Sequence, residues 1–203
     1  MKNILVTQYY KTDNIDRQYE IDHCLIENTK LGILDKIIVF SDCNLPIYHE
    51  KIFKFKSKFE NRITYKEFLL DTRIDGNNYI LSNSDIIFDS TLDLLQNYDM
   101  NNKVICLTRW EDGKIFDRID SQDTWIVRNI NVTDKLLEKS DFPIGKPGCD
   151  NRIAAVFKEE GFNVINPSLD IKTHHIHKSQ YRTYTQEDRI SGPYYLLPPS
   201  KLI

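Results

Sequence analysis

Apolar residues along the chain come in short runs broken by polar, turn-prone stretches, and their spacing changes from one stretch to the next. Residues 4–8, "ILVTQ", are a largely apolar run of strand length. Residues 13–28 follow, rich in acids and amides. There Ile21, Cys24, Leu25 and Ile26 form a stripe near helical spacing, with Asp13 or Asn14 available as N-cap. A buried strand is expected at 37–40, "IIVF", closed by the turn-like "SDCNLP". "KIFKFKSKF" alternates charged and apolar side chains, the period of a half-buried strand whose lysines face water or form a ridge for a phosphate. "TYKEFLLDT" predicts a helix, and "YILSNSDIIF" brings a third apolar strand into the middle of the chain. Later come "KVICLTRW", "TWIVR", a helix over 149–160 stopped by Gly161, and strands at "NVIN" and "IKTHHIH".

This β-α-β-α opening, with buried runs of β-branched residues, predicts an α/β fold: a Rossmann-like mixed, mainly parallel sheet flanked by helices. In such sheets ligands sit beyond the carboxyl ends of the strands. At 203 residues, with no repeat, low-complexity tract or linker, the chain is expected to be a single domain over 1–203. "SGPYYLLPPSKLI" predicts an irregular tail, from about residue 186, laid over the body.

Composition removes several function classes. With 40% hydrophobic and 28% charged residues the chain is ordinary for a soluble protein, and a net charge of -3 gives no basic excess for nucleic acid. The cysteines Cys24, Cys43, Cys106 and Cys149 form no CxxC pair, so they predict reduced thiols rather than a zinc or redox motif. The opening "MKNILVTQYY" has too short an apolar run for a signal peptide, and nothing approaches the roughly 18 apolar residues of a transmembrane segment. A cytoplasmic location is expected, and the sequon Asn131-Val132-Thr133 is then without consequence.

The chemistry concentrates in three places. Asn83 and Asp85, spaced by one residue at the carboxyl end of the central strand, point the same way. They suit a hard divalent cation bridging to a diphosphate, or equally an Asx turn closing the strand. Asp89, just before "STLDLL", is a candidate cap. In "IGKPGCDNRIAAVF", Asp150 is either a cap or an acid presented to an acceptor hydroxyl. In "THHIHKSQYRTY", His175 and His177 share one strand face and His174 the other, while Lys178, Ser179 and Arg182 add donors suited to phosphate oxygens. Histidines also bind zinc, but no cysteine is near and the Asn/Asp step is oxygen chemistry, so Mn²⁺ or Mg²⁺ is the expected ion.

Strand one ending "TQYY", the central "NSDI", "LTRWE" with "SQDTWIV", the loop "GKPGCDNRIA" and "HIHKSQYRTY" occur in that order over almost the whole chain. Together they resemble the small GT-A-type glycosyltransferase domains, especially the chlorella-virus-like ones. The resemblance implies a nucleotide-diphosphate sugar donor, a UDP-sugar, a glycan or other hydroxyl acceptor, and a divalent metal at a DxD motif. "NSD" stands in that motif's place with Asn83 for its first acid, which leaves Asp85 as the only carboxylate. A histidine near the domain's end then completes the metal site, and His177 matches, with His175 as the alternative. Thr7, Gln8, Tyr9 and Arg17 are implied at the nucleotide, with Tyr9 or Tyr10 stacking on the base, and Asn83 and Ser84 beside them. Lys178, Ser179 and Arg182 are implied at the diphosphate, Asp123 and Trp125 at the donor sugar, and Asp150 on the acceptor side.

Two other readings compete. A sugar nucleotidyltransferase needs a glycine-rich basic loop after its first strand, and "TQYYKTDN" contains no glycine. A binding module that has lost turnover would explain Asn83.

Overall fold

The computed structural model describes residues 1–56 and 62–203. Its centre is β1 (Asn3–Gln8), with all six residues buried. A strand covered on both faces reads as an unbroken apolar run, as "ILVTQ" does. The chain then enters α1 (Ile15–Lys30). The Asn14 side chain caps it by accepting from the Arg17 amide, with Asp16 in the first turn and Lys30 in the last. β2 (Lys36–Phe40) returns parallel to β1, and β3 (Ile52–Phe55) adds parallel to β2. α2 (Tyr65–Asp71) starts at a capping box of Thr64 and Glu67, and β4 (Asn78–Ser82) pairs parallel with the other side of β1.

"YILSNSDIIF" is two strands rather than one. β4 ends at Ser82, and after the Asn83–Asp85 step β5 (Ile86–Phe88) begins in a different sheet. Beyond a 3₁₀ turn over Ser90–Gln96, capped by Asp89, come β6 (Lys103–Leu107), the short strands β7 (Trp110–Glu111) and β8 (Lys114–Ile115), and β9 (Thr124–Val127). α3 (Asp134–Lys139), α4 (Cys149–Glu159), β10 (Asn163–Ile165) and β11 (Thr173–His175) complete the order. The larger sheet runs β10-β6-β9-β4-β1-β2-β3, parallel except for β9, which lies antiparallel between β4 and β6. The expected mixed, mainly parallel sheet between helices is therefore present. A second sheet, β5-β11-β7-β8, carries the histidine strand.

Strand alternation divides the core into two layers. Ile4 and Val6 pack with Phe68 of α2, Leu136 of α3 and Phe157 of α4, while Leu5 packs with Ile21 and Leu25 of α1. Each such side chain contributes roughly 1.5–3 kcal/mol by leaving water.

One further expectation is corrected. β3 is an edge strand whose Phe53, Lys54 and Phe55 are all exposed, so its alternation does not mark a half-buried strand; residues 57–59 of that segment lie outside the described ones. Within the sequon that was expected to be without consequence, Thr133 caps α3 by accepting from the Leu136 amide. After residue 189 the chain is irregular. Leu197 of that stretch is buried against the body, with its N–H on the Ile119 carbonyl and its own carbonyl taking the Asn166 amide. Among the described residues no helix is long and apolar enough to cross a membrane.

The registers bring the carboxyl ends of β1 and β4 level, with Val6 opposite Leu81, and set Ser82 opposite Thr124 of β9. Gln8, Asn83 and Asp123 therefore emerge at one end of the sheet. β11, antiparallel to β5 with His175 opposite Ile86, delivers the histidines to the same place.

Candidate functional site

A cavity of about 350 Å³ opens at that end of the sheet. It gathers Gln8, Arg17, Asn83, Ser84 and Asp85 from the first half of the chain, and Asp123, Trp125, Asp150, His175, His177 and Arg182 from the second.

Asp85 lies at its centre, 4% exposed. Its Oδ2 accepts from Arg17 Nη2 at 2.8 Å, and His175 Nε2 and His177 Nδ1 stand 3.3 and 3.6 Å from the same oxygen. Its Oδ1 is buried with no partner among the described residues. Burial pushes this carboxyl up, but His175 and Arg17 outweigh it and hold the group well below the usual carboxylate range. A buried ionised oxygen without a partner costs several kcal/mol, roughly, so the geometry calls for a cation.

The imidazoles are arranged for one. His175 Nδ1 lies 3.0 Å from Glu111 Oε1, and His177 Nε2 lies 3.1 Å from the Tyr181 carbonyl. Each outer nitrogen thus has an acceptor for its proton, which turns the inner nitrogen of each ring toward Asp85. Asp85, His175 and His177 form the one metal-ligating group among the described residues, with ligand atoms within 4.8 Å of one another. The expected pair, Asp85 with His177 or His175, comes together with both histidines present. Burial lowers the His175 imidazole but Asp85 raises it above its ordinary value; His177 is lowered by burial and by Arg17. A bound cation would replace the proton that His175 otherwise places against Asp85. The residues present fit a divalent ion.

Arg17 sits one turn ahead of the apolar stripe of α1. It also binds Glu20 at 3.1 Å, and the Tyr10 hydroxyl lies 3.4 Å from its Nε. Glu20 in turn accepts from the Ser179 amide and hydroxyl at 2.7 and 2.9 Å, so α1 grips the segment that carries His177. On the other side Asn83 Nδ2 donates to Asp123 at 2.8 Å, and Asp123 accepts from Arg109 at 2.9 Å. Arg109 Nε donates to Glu111 at 2.6 Å, and Glu111 closes the chain at His175.

Asp150 occupies the first turn of α4, and the cap position belongs to Gly148, held left-handed at φ 76°. The carboxylate accepts from the Gln122 amide at 3.1 Å and the Asn151 amide at 3.0 Å. Burial pushes it up to about 6, against the Gln122 amide, which lowers it, and with the Asp123 charge, which raises it. An acid poised there, facing a cavity, is suited to taking a proton near neutral pH.

Several expected residues are occupied elsewhere. Thr7 is buried and its hydroxyl donates to the Ser82 carbonyl, bracing β1 against β4. Tyr9 is 3% exposed, its ring in the core and its hydroxyl on Asp22, whereas Tyr10 is half-buried at the cavity wall. Ser179 is held by Glu20, and Lys178 is not among the residues that line the cavity. Trp125 reaches the cavity at 1% exposure, its ring edge-on to Tyr65 at 4.9 Å and its Nε1 without a partner among the described residues. It offers a buried donor rather than an open aromatic wall. Arg182 lines the cavity with its guanidinium over the Tyr184 ring.

Sequence reasoning gave no role to Glu20, Arg109, Glu111 or Gln122. Two signals were present. Arg17, Glu20, Ile21, Cys24 and Asn28 share the buried face of α1, so an ion pair continues an apolar stripe. Arg109 and Glu111 flank Trp110 two residues apart, on one side of an extended segment.

No protein-family model and no curated protein matches the chain. Solved structures do. A mannosyltransferase from Pyrobaculum calidifontis, in complex with GDP-Man and Mn²⁺, superposes with TM-score 0.55 at 12% identity, covering 89% of this chain and 58% of that one. A Drosophila β-1,4-galactosyltransferase 7 mutant, in complex with manganese, UDP-Gal and xylobiose, gives 0.52 at 11%, covering 96% and 83%. A 4-diphosphocytidyl-2C-methyl-D-erythritol synthase from Anaerococcus prevotii gives 0.53 at 12%, covering 92% of each chain. The chain has the GT-A-type fold of nucleotide-diphospho-sugar transferases, shared with that synthase.

Proposed function

We propose that the protein is a metal-dependent glycosyltransferase that moves a sugar from a nucleotide-diphosphate sugar, a UDP-sugar, to a glycan or other hydroxyl acceptor. The observation that carries this reading is the buried Asp85 carboxylate, whose Oδ2 faces two imidazoles with their outer nitrogens already engaged and whose Oδ1 has no partner among the described residues. Asp85, His175 and His177 would hold the ion. Two imidazoles beside one carboxylate favour Mn²⁺ over Mg²⁺, which prefers an all-oxygen shell. When bound, the cation neutralises charge developing on the leaving diphosphate.

The chain's own residues do the rest. Gln8, Tyr10, Asn83 and Ser84 line the part of the cavity beside β1 and β4 and would receive the nucleotide. Arg182 would donate to diphosphate oxygens. Arg109 fixes Asp123, which with the Trp125 N–H would orient the donor sugar. Asp150, buried and held by two amides, would accept the acceptor hydroxyl's proton as oxygen attacks the anomeric carbon. Because the cavity draws on residues from Gln8 to Arg189, we treat the chain as one functional unit.

Building a nucleotide sugar from a triphosphate would ask for glycines after β1. Residues 9–14, "YYKTDN", supply none, and Tyr9 is packed into the core there. The test is product analysis with UDP-sugars, Mn²⁺ and mixed glycan acceptors. UDP release that disappears in Asp85→Ala is expected. Pyrophosphate formation from a nucleoside triphosphate and a sugar phosphate, or full transfer by the variant, contradicts the proposal.

A further inference from the structure

The cationic side chains around the cavity fall into two groups. Arg17, Arg109, Arg118 and Lys146 each have a carboxylate: Asp85 with Glu20, Asp123 with Glu111, Asp120 and Asp188 respectively. Arg62, Arg182 and Arg189 have none within salt-bridge distance among the described residues. Arg182 stands by the histidine segment, on the side assigned to the donor. Arg62 and Arg189 are placed differently, against the loop that leads into Asp150.

That loop is shaped around them. Gly145 and Gly148 have φ of 68° and 76°; a Cβ added at Gly145 would collide with Arg62 Nη1, while one at Gly148 would meet the Tyr194 hydroxyl at 3.1 Å, the Ile190 carbonyl at 3.2 Å and Arg189 Nη1 at 3.3 Å. Gly145 therefore makes room for a guanidinium as well as for a left-handed turn, and Gly148 lets the segment carrying Arg189 and Ile190 lie close against the turn. Arg62 is fixed by the carbonyls of Ile144 and Gly145 and by the Thr183 hydroxyl at 2.8 Å. Among the described residues these bonds leave part of its five-donor fork free, and Arg189, hydrogen-bonded to the Gln186 side chain and drawn electrostatically toward Asp120, keeps most of its own donors. The donor does not account for these charges. A nucleoside-diphosphate sugar carries two negative charges and a divalent ion cancels both.

We infer that the acceptor is itself anionic, a sugar or polyol bearing a phosphate or carboxylate, and that Arg62 and Arg189 receive this group in the cavity that Asp150 shares. This deepens the transferase reading and rests on it for the word acceptor. The two guanidiniums would bind the anion in forked fashion and so fix which hydroxyl lies at the Asp150 carboxylate. The glycines, otherwise only turn formers, become determinants of acceptor choice.

The experiment titrates glucose 6-phosphate, glucuronate and methyl glucoside into the full chain by calorimetry, with UDP and Mn²⁺ saturating and again without them. The variants are Arg189→Glu, at an exposed position where folding is not at stake, and Arg62→Gln, with a thermal melt of each. At least one anionic ligand is expected to bind about tenfold or more tightly than methyl glucoside, with that margin lost in Arg189→Glu while UDP affinity holds. Preference for glucose 6-phosphate identifies a phosphate, and preference for glucuronate a carboxylate. Equal binding of neutral and anionic ligands, or an unchanged margin in both variants, overturns the inference. Failure of UDP to bind the wild type contradicts the donor reading instead, and the nucleotide-free arm still decides the anion site.

Discussion

Arg17 holds one oxygen of Asp85 at 2.8 Å and leaves the other buried without a partner among the described residues. One charge is thus satisfied by the protein and half of a carboxylate is kept available. Removing the acid strands a buried guanidinium with only Glu20 and the Tyr10 hydroxyl, so Asp85→Ala is expected to lose about 2–4 kcal/mol of stability. Asp85→Asn, which can still accept from Arg17, is expected to lose less while abolishing Mn²⁺ binding. Urea unfolding and metal titration of the two variants separate these effects.

Glu111 touches the proposed ion only through His175. Its loss frees the imidazole to rotate and removes the acceptor that fixes the Nδ1 proton. Glu111→Gln is expected to weaken Mn²⁺ affinity by about 10–100-fold with little change in melting temperature. Electron paramagnetic resonance of free Mn²⁺ measures this directly, and an unchanged affinity would remove Glu111 from the site.

Asp150 predicts opposite behaviour for activity and stability. As a base with its carboxyl raised to about 6, it should make the rate climb as pH rises through that value. Because the folded-state value lies above the ordinary 3.8, the linked stability is present below about 4 and is lost as pH rises through about 6. Asp150→Asn should therefore melt higher than wild type at pH 8, by about 6–12 °C, and show no gain at pH 4. The same variant should lose about 10²-fold or more in transfer rate. A gain at both pH values, or none at pH 8, would show that the carboxyl is not perturbed by burial.

Glu20 joins α1 to the segment after β11 through the Ser179 amide and hydroxyl. Glu20→Ala should loosen residues 176–185, seen as faster amide exchange there than in β1. It should also weaken Mn²⁺ binding, because His177 rides on that segment.

Much of the fold was legible because strands covered on both faces must be apolar throughout. β1, β2, β4, β6 and β9 read that way, and the capping side chain at Asn14 marked a helix start. The antiparallel direction of β9 and the second sheet were not legible, since strand order depends on pairing partners far apart in sequence. β3 misled because alternation at a sheet edge looks the same whether or not a layer covers it. At the site, Asp85 and the paired histidines stood out in the sequence because polar groups interrupting apolar strands are locally anomalous, and the fold brings them together. Arg109, Glu111 and Glu20 were missed because each acts through a partner that the fold alone brings near. Thr7, Tyr9 and Ser179 were placed at the ligand by chain position, but their polar groups are engaged by Ser82, Asp22 and Glu20.

The central claim is that Asp85 and its two imidazoles hold a divalent ion that in turn holds a nucleoside diphosphate. Calorimetric titration of UDP into the protein, with Mn²⁺ present and then with the metal chelated, tests it most directly. The account predicts binding that requires Mn²⁺ and disappears in Asp85→Asn. Equal UDP binding with and without metal, or undiminished binding by the variant, would contradict it.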